Sequence, residues 1–544
     1  MSDDPEQLHS RLTSGDAARV VALGSDLGDQ SRAVDAATAV LTAGMHTPVW
    51  HAGLARIGFL IRGQQAFLAA CTASWRLYRT SHVVTTVGDQ YAQVCAQADS
   101  LIRPWRRRDG SLTPEEVDAL RDAVSRSLRL LTLLWSLRLL AARSDLDDTD
   151  PELERWFEDG AVQDYWYYVR TGAGRGPRIP DVLLSGDDDG FAPQGLAHDP
   201  GSGSWLMTSY AGPDDSESQL TVLDERTGEK TGEVRLSGPG GSGSPHHSGG
   251  VAVDGRWAYV VSSEESGSYV YRYDLQTLRD ARPGQQVDAD AKIAVAGSSY
   301  ATVAEGKLWL GNWKNGELYP YDLSDVRSAA NGSRPDPPDH LPAPEGSNGV
   351  VVQGDRLVFA VNNGRHEESQ LVTTDRDGNE VNTFDVGNLV EEIHLLDGRI
   401  YALNESGAQP YSPLDDGTKD PEDLWAQTHL LSLPAGLVTG EVDVEPPTLR
   451  EAQREFARAT DSLERITGAV RRLELPARLL GEVPAADPFA TAVTTEVDRT
   501  GLALDAGVDA ATGASTGLGR TADEYDTADT SGATVLDLIT GRLG

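Results

Sequence analysis

Two spacings of apolar residues run through the chain, and each predicts a different element. From Ser14 onward, Val20, Leu23, Leu27, Gln30, Val34, Ala37 and Leu41 alternate steps of three and four, the seam of a helix packed on another helix. After a break at Gly44 to Pro48 the spacing resumes in Ile57, Ile61, Gln64, Leu68, Cys71, Trp75, Tyr78 and His82, and continues through Val87, Tyr91, Val94, Ala98, Leu101 and Trp105. Two long helices joined by a short turn make a helical hairpin. A third helix starts at Thr113-Pro114-Glu115-Glu116, where Thr113 caps, Pro114 takes the first turn and Glu116 closes a capping box. It presents Val117, Leu120, Val124, Leu128 and Leu131 to a core. The same design returns at the other end, with Leu449, Ala452, Phe456, Ala459, Leu463, Ile466, Val470 and Leu473 on one seam. A Pro-containing break over Leu475 to Pro488 separates it from a second helix carrying Val493, Val497, Thr500, Leu504, Val508, Ala511, Leu518, Ala522 and Tyr525.

Between these ends the period drops to two, and one unit repeats five times: a short apolar strand, a turn with Gly or an acidic residue, then an aromatic-rich strand. The first strands open at Gly195, Gly250, Ala301, Gly349 and Ile393, and the second strands at Trp205, Trp257, Leu308, Leu357 and Ile400. Steps of 55, 51, 48 and 44 residues between units suit a four-stranded blade. The predicted architecture is therefore multidomain, α plus all-β, with helical hairpins at both ends and a central β-propeller of about five blades. The boundaries are 1–110 for the first hairpin, 111–176 for a helical connector, 177–440 for the propeller and 441–544 for the second hairpin. Pro177 to Ser185, ahead of the first repeat, can supply an outer strand to the last blade and so remove both sheet edges.

Composition narrows the function classes. A chain of 544 residues that is 39% hydrophobic and 24% charged is globular and too long for one core. Its net charge of −37 repels a phosphate backbone, so nucleic acid is not an expected partner. Only five lysines stand beside 42 arginines, a bias of high-GC genomes, actinobacterial or haloarchaeal. Cys71 and Cys95, if on one unbroken helix, lie about 36 Å apart and cannot bond. The acidic start Met-Ser-Asp-Asp-Pro has no basic n-region, so no Sec signal peptide is expected. The most apolar run, Leu128 to Ala142, is short and carries Arg129 and Arg138; it reads as a buried helix and not a membrane span.

The turn of the first hairpin reads Thr47-Pro48-Val49-Trp50-His51-Ala52-Gly53. It resembles the Trp-x-Gly turn of type VII (ESX, WXG-like) secretion substrates of actinobacteria, with one extra residue between Trp50 and Gly53. Tyr525 and Asp529 match the Tyr-x-x-x-Asp signal of that system, at the end of the second hairpin where the family places it. Residues i and i+4 share a helix face, so both side chains can be read together. The resemblance covers roughly residues 10–108 and 447–532. It implies export to the envelope or medium with the type VII secretion machinery as partner. The repeats themselves are similar to YVTN/NHL-like bacterial propellers, a fold that hosts binding and catalysis alike.

In a propeller the innermost strands converge on one face, which places Gln194, His247, Tyr300, Asn348 and Glu392 at the expected mouth, with Ser209, Glu264, Asn312, Asn362 and Asn404 from the second strands. Such a ring suits a sugar or a hard cation held by oxygen ligands. Six-bladed lactonases of similar shape hold calcium with Glu, Asn and Asp; this ring has one carboxylate at the strand starts, Glu392, and no Asp, so no cofactor is expected, with calcium as the alternative. His246 and His247 are adjacent and point to opposite faces if on a strand. No Gly-x-Ser-x-Gly elbow or phosphate loop occurs, and no catalytic residue is assigned. Three readings follow: a type VII-secreted protein whose propeller binds a ligand or protein partner, a lactonase- or esterase-like propeller hydrolase, and a cytoplasmic salt-adapted scaffold. The first is the expectation.

Overall fold

The computed structural model describes residues 4–45, 54–108, 112–147, 151–171, 173–179, 191–211, 217–225, 228–362, 364, 368–408, 411, 426–440 and 449–540. Two compact units make up the chain: Met1–Leu41 with Ala52–Pro151 and Gln453–Gly544, and Thr42–His51 with Glu152–Ala452.

The first unit is helical. It contains α1 (Pro5–Leu12), α2 (Ala17–Met45), α3 (Leu54–Arg106) and α4 (Pro114–Asp147), together with α9 (Leu449–Val470) and α10 (Ala486–Thr540) from the far end of the chain. The seam expected in α2 is buried: Val20, Leu23, Leu27, Val34, Ala37 and Leu41 are at most 9% exposed. Small residues set the α2–α3 distance. A Cβ on Gly24 would stand 2.8 Å from the Thr85 amide nitrogen, and one on Gly88 would stand 2.9 Å from that of Val21. The two terminal hairpins join in one bundle, since α10 packs along α3 and α4 and Phe59 meets Phe456 edge to face at 5.2 Å. The predicted capping box is present, with the Thr113 amide donating to Glu116 Oε2 at 2.8 Å and the Glu116 amide to Thr113 Oγ1 at 3.3 Å. Because α3 is continuous from Leu54 to Arg106, Cys71 and Cys95 are free thiols, Cys71 buried and Cys95 half-buried.

The single seam read for α3 needs correction. Ile61 is 49% exposed and His82 is exposed, whereas Phe59, Phe67, Leu77 and Val84 are buried. With α2 on one side and α10 on another, α3 buries more of its circumference than one seam covers. Trp50 and Gly53 lie outside the described residues. Tyr525 and Asp529 fall on the last turns of α10, where only the backbone is described. Among the described residues no helix is long and apolar enough to cross a membrane.

The second unit opens with α5 (Pro151–Thr171) and continues as five blades. The inner, second and third strands are β2 (Ala192–Asp199), β3 (Ser204–Ala211) and β4 (Glu217–Asp224) in blade one; β6 (Gly250–Asp254), β7 (Trp257–Glu264) and β8 (Gly267–Asp274) in blade two; and β11 (Tyr300–Ala304), β12 (Lys307–Asn312) and β13 (Glu317–Asp322) in blade three. Blade four has β15 (Ser347–Gln353), β16 (Arg356–Val361) and β17 (Ser369–Asp375), and blade five has β19 (Val390–Leu396), β20 (Arg399–Asn404) and β21 (His429–Pro434). Outer strands are β5 (Lys230–Ser237), β10 (Ala291–Val295), β14 (Leu341–Pro342) and β18 (Glu380–Val386). Ring closure uses a strand from before the first repeat, as expected, but its place is β1 (Gly174–Arg178), antiparallel to β21. One feature has no counterpart in the repeat pattern: β9 (Gln285–Asp288) crosses back and pairs in parallel with β5, giving blade one a fifth strand. Short helices α6 (Leu275–Asp280), α7 (Leu323–Ser328) and α8 (Ala435–Thr439) follow third strands.

The acidic-plus-glycine turns have a backbone cause. In blades three and five both turn residues take positive φ, Glu305 (53°) with Gly306 (74°) and Asp397 (49°) with Gly398 (74°), which matches the right-handed twist of a two-residue hairpin. Apolar cores lie between successive blades; one joins Leu206, Leu220 and Val234 of blade one to Val260, Tyr271 and Tyr273 of blade two.

Candidate functional site

Three inner strands begin with a β-bulge. The register jumps between Pro193 and Gly195, between Ser347 and Gly349, and between Val390 and Glu392. The extra residues are therefore Gln194, Asn348 and Glu391. A bulge residue is free of the ladder and is re-aimed, which is why bulges recur beside functional sites. Here the three extra residues lie in one hydrogen-bonded chain across blades one, four and five. Gln194 Nε2 donates to Glu405 Oε2 at 2.8 Å, Glu405 shares a hydrogen bond with Glu391, and Asn348 Nδ2 donates to Glu391 Oε2 at 3.1 Å. Asn362 Nδ2 donates to Glu391 Oε1 at 2.9 Å, and the Tyr411 hydroxyl donates to Glu405 Oε1 at 2.7 Å.

Electrostatics follow from burial. Glu391 is 7% exposed and Glu405 6%. Burial, and then the neighbouring Glu405 carboxyl, push Glu391 well above the usual carboxylate range. Two neighbouring buried carboxyls cannot both ionise cheaply. Burial and the Glu405 charge likewise raise the Tyr411 phenol. At the rim, the Tyr210 and His247 rings lie 4.6 Å apart, tilted by 30°, and both are half-buried. His247 has a φ of 42°, a left-handed conformation uncommon outside glycine.

Directly beneath lies a second layer, and it separates the five residues expected at the mouth. Gly195, Gly250, Tyr300, Gly349 and Glu392 pair with Thr208, Val261, Gly311, Ala360 and Leu403, equivalent positions of the five second strands. Three glycines leave the channel room, and Tyr300 and Glu392, both 0% exposed, fill it. Glu392 Oε1 accepts from the Ile393 amide at 3.1 Å, and the Ala301 and Val350 amides face the same carboxyl. A Cβ on Gly349 would sit 2.4 Å from Oε1, and one on Gly250 would sit 3.1 Å from Oε2. Gln194, Asn348 and His247 thus stand at the mouth, while Tyr300 and Glu392 plug the channel below it. Of the second-strand residues, Asn362 joins the network and Glu264 is tied to Lys292 Nζ at 2.7 Å. Sequence reasoning missed Glu391, Glu405 and Tyr411. For Glu391 a signal existed, since aligning blades four and five on their second strands, at Leu357 and Ile400, puts Glu391 in register with Asn348.

A separate small pocket of about 50 Å³ lies between α5 and blades four and five. It is lined by Asp164, Tyr167, Glu368, Gly387 and Gln427 among others. Asp164 is 5% exposed, and burial raises its carboxyl to about 7 against the pull of the Arg175 charge.

No known family matches the chain, and no curated protein matches it. Among solved structures, similar ones include the glutaminyl cyclase of Myxococcus xanthus, at 13% identity over 42% of this chain and 89% of that one, with a TM-score of 0.29. A GH43_1 enzyme from Xanthomonas citri gives 12% identity, 49% and 91% coverage and a TM-score of 0.30. The tail fiber of Staphylococcus aureus phage P68 gives 9%, 51%, 57% and 0.32. This chain spans about half the length of Kuenenia stuttgartiensis hydrazine synthase and of the phage fiber, at 55% and 57%. Likenesses this distant carry nothing about function.

Proposed function

We propose that the propeller is a binding module whose mouth takes a neutral, hydroxyl-rich ligand such as a sugar. The observation that carries it is the adjoining Glu391 and Glu405 carboxyls, framed by the amides of Gln194, Asn348 and Asn362. Such a set offers both donors and acceptors without net cation or anion selectivity. The half-buried Tyr210 and His247 rings add a stacking surface. An anionic ligand would meet the carboxyls. Among the described residues no group of three His, Cys, Asp or Glu is placed to hold a metal ion. Glycoside hydrolysis fits poorly, because its two carboxyls stand about 5–9.5 Å apart and these two are hydrogen-bonded. The test is saturation-transfer NMR of the full chain with a panel of neutral mono- and oligosaccharides. Signals should appear for at least one sugar and vanish in Glu391→Gln and Asn348→Ala chains that retain the wild-type melting profile. Silence across the panel, or equal signals from the variants, overturns the reading.

We propose further that the helical unit is the export device of a type VII substrate. The support is the Trp50/Gly53 turn and the Tyr525/Asp529 pair in sequence, together with the union of both hairpins in one bundle, which tethers within a chain what paired substrates bring together as two. Export of tagged wild type and Tyr525→Ala from a host with a working type VII system decides it. Wild type should leave the cell and the variant should stay; retention of both refutes the proposal.

A further inference from the structure

Helix α4 has two apolar faces, and among the described residues only one is packed. Val124, Leu128, Leu131, Trp135 and Leu139 point into the bundle, at most 7% exposed. On the opposite side Leu130, Leu133, Leu134, Leu137 and Leu140 are 57%, 56%, 47%, 53% and 44% exposed. At 100° per residue these five fall within about 120° of the circumference and span about 15 Å of axis. Their steps of three and four are those of a coiled-coil seam. Isolated exposed leucines need no explanation, but a contiguous ridge of this kind marks an interaction surface.

Charge identifies the occupant. Between Asp122 and Asp145 the helix carries no acidic residue and four arginines, Arg126, Arg129, Arg138 and Arg143, in a chain whose net charge is −37. Arg126 and Arg138 are exposed, Arg126 one turn before Leu130 on the ridge and Arg138 at its border. A second copy would set this basic island against itself. An anionic bilayer would bring the wider acidic surface within a screening length of about 8 Å, whereas a single helix touches the island alone. We infer that the outer face of α4 docks an amphipathic helix of a partner protein, with leucine-type residues at three-four spacing and Asp or Glu flanking them. The inference is independent of the propeller mouth.

The probe is a designed three-heptad peptide with a leucine seam and glutamate flanks, titrated by fluorescence anisotropy into the full chain, beside a twin peptide with arginine flanks. The glutamate peptide should bind at least tenfold more tightly than its twin. Arg126→Glu/Arg138→Glu should reverse that order, and Leu133→Lys/Leu137→Lys should abolish binding of both. All four substitutions are at exposed positions, and unchanged circular dichroism and melting confirm the fold. Equal affinity for the two peptides, no binding of either, or binding that survives Leu133→Lys/Leu137→Lys overturns the inference. So does sedimentation of the wild type as a dimer that the leucine variant breaks, or stronger capture by phosphatidylserine vesicles than by the peptide.

Discussion

Replacing Asp164 with Asn should remove one buried carboxyl's share of the propeller's pH dependence between mildly acid and neutral solution, beside the shares of Glu391 and Glu392. Burial raises this carboxyl from 3.8 to about 7, opposed by the Arg175 charge and the nearby Gln427 side chain. With the folded value above the unfolded one, the folded state holds the proton more tightly. The contribution of Asp164 is then fully present below about pH 4 and is lost as pH rises through 7. A shift of about 3 units at 1.36 kcal/mol per unit makes that loss about 4 kcal/mol, spread at about 1.4 kcal/mol per pH unit. Asn keeps the shape and has no proton to lose. It also weakens the attraction to Arg175 once the carboxyl ionises, which matters only above pH 7. Urea unfolding of both full-length chains at pH 5, 6, 7 and 8, followed through the propeller transition, gives the two curves. The stability of Asp164→Asn relative to wild type should climb with pH up to 7 and flatten by 8. A difference that stays constant across this range refutes the buried neutral carboxyl.

Three further outcomes follow from packing. Gly349→Ala drives a Cβ to 2.4 Å from Glu392 Oε1 and 2.8 Å from the Ile393 nitrogen, so it should cost about 1–3 kcal/mol of propeller stability in calorimetry, and a neutral effect would mean that the plug is loose. Phe456→Ala empties a wholly buried site beside Phe59 and should cost the helical bundle about 3–5 kcal/mol by chemical denaturation, with the propeller transition unmoved. Under thiol titration of the native chain, Cys95 should react and Cys71 should wait for unfolding; one disulfide and no free thiol would contradict the continuous α3.

The parts of this molecule written in local chemistry could be read before folding. The capping box at Thr113 and Glu116, the seam of α2 and the Gly-containing turns each depend on a few neighbouring residues, and each is where the pattern put it. Blade number and ring closure were legible because a propeller repeats one unit and must dispose of two edges. Harder to see was anything set by register. The repeat read from the first strands sets Ile393 against Gly349, whereas the observed register sets Glu392 there and makes Glu391 the bulge residue equivalent to Asn348; a step of one sends every side chain to the other face. That single step separates Glu392 in the plug from Glu391 at the mouth. The second face of α3 and the pairing of β9 with β5 depend on neighbours distant in sequence, so no local period announces them.

Three glutamates close together at one end of a narrow channel need a reason, because burying carboxyls costs stability that apolar groups would not. For Glu392 the fold supplies one. Five inner strands converge, three of them contribute glycine to one layer, and a carboxyl that faces amides from three blades fills the remaining space while drawing the strands together. Glu391 and Glu405 have no such excuse. The plug beneath them already seals the channel, and their contact raises the cost of ionising either one. Side-chain amides and a tyrosine hold them, and these are adjustable partners. A pair that is expensive to keep and unnecessary for closure, with one member on a re-aimed bulge residue, is the ground on which the mouth is proposed as a binding site. The same reasoning sets the propeller mouth apart from the pocket beside α5, where one buried carboxyl, Asp164, shares its surroundings with the Arg175 charge and the cost is correspondingly smaller.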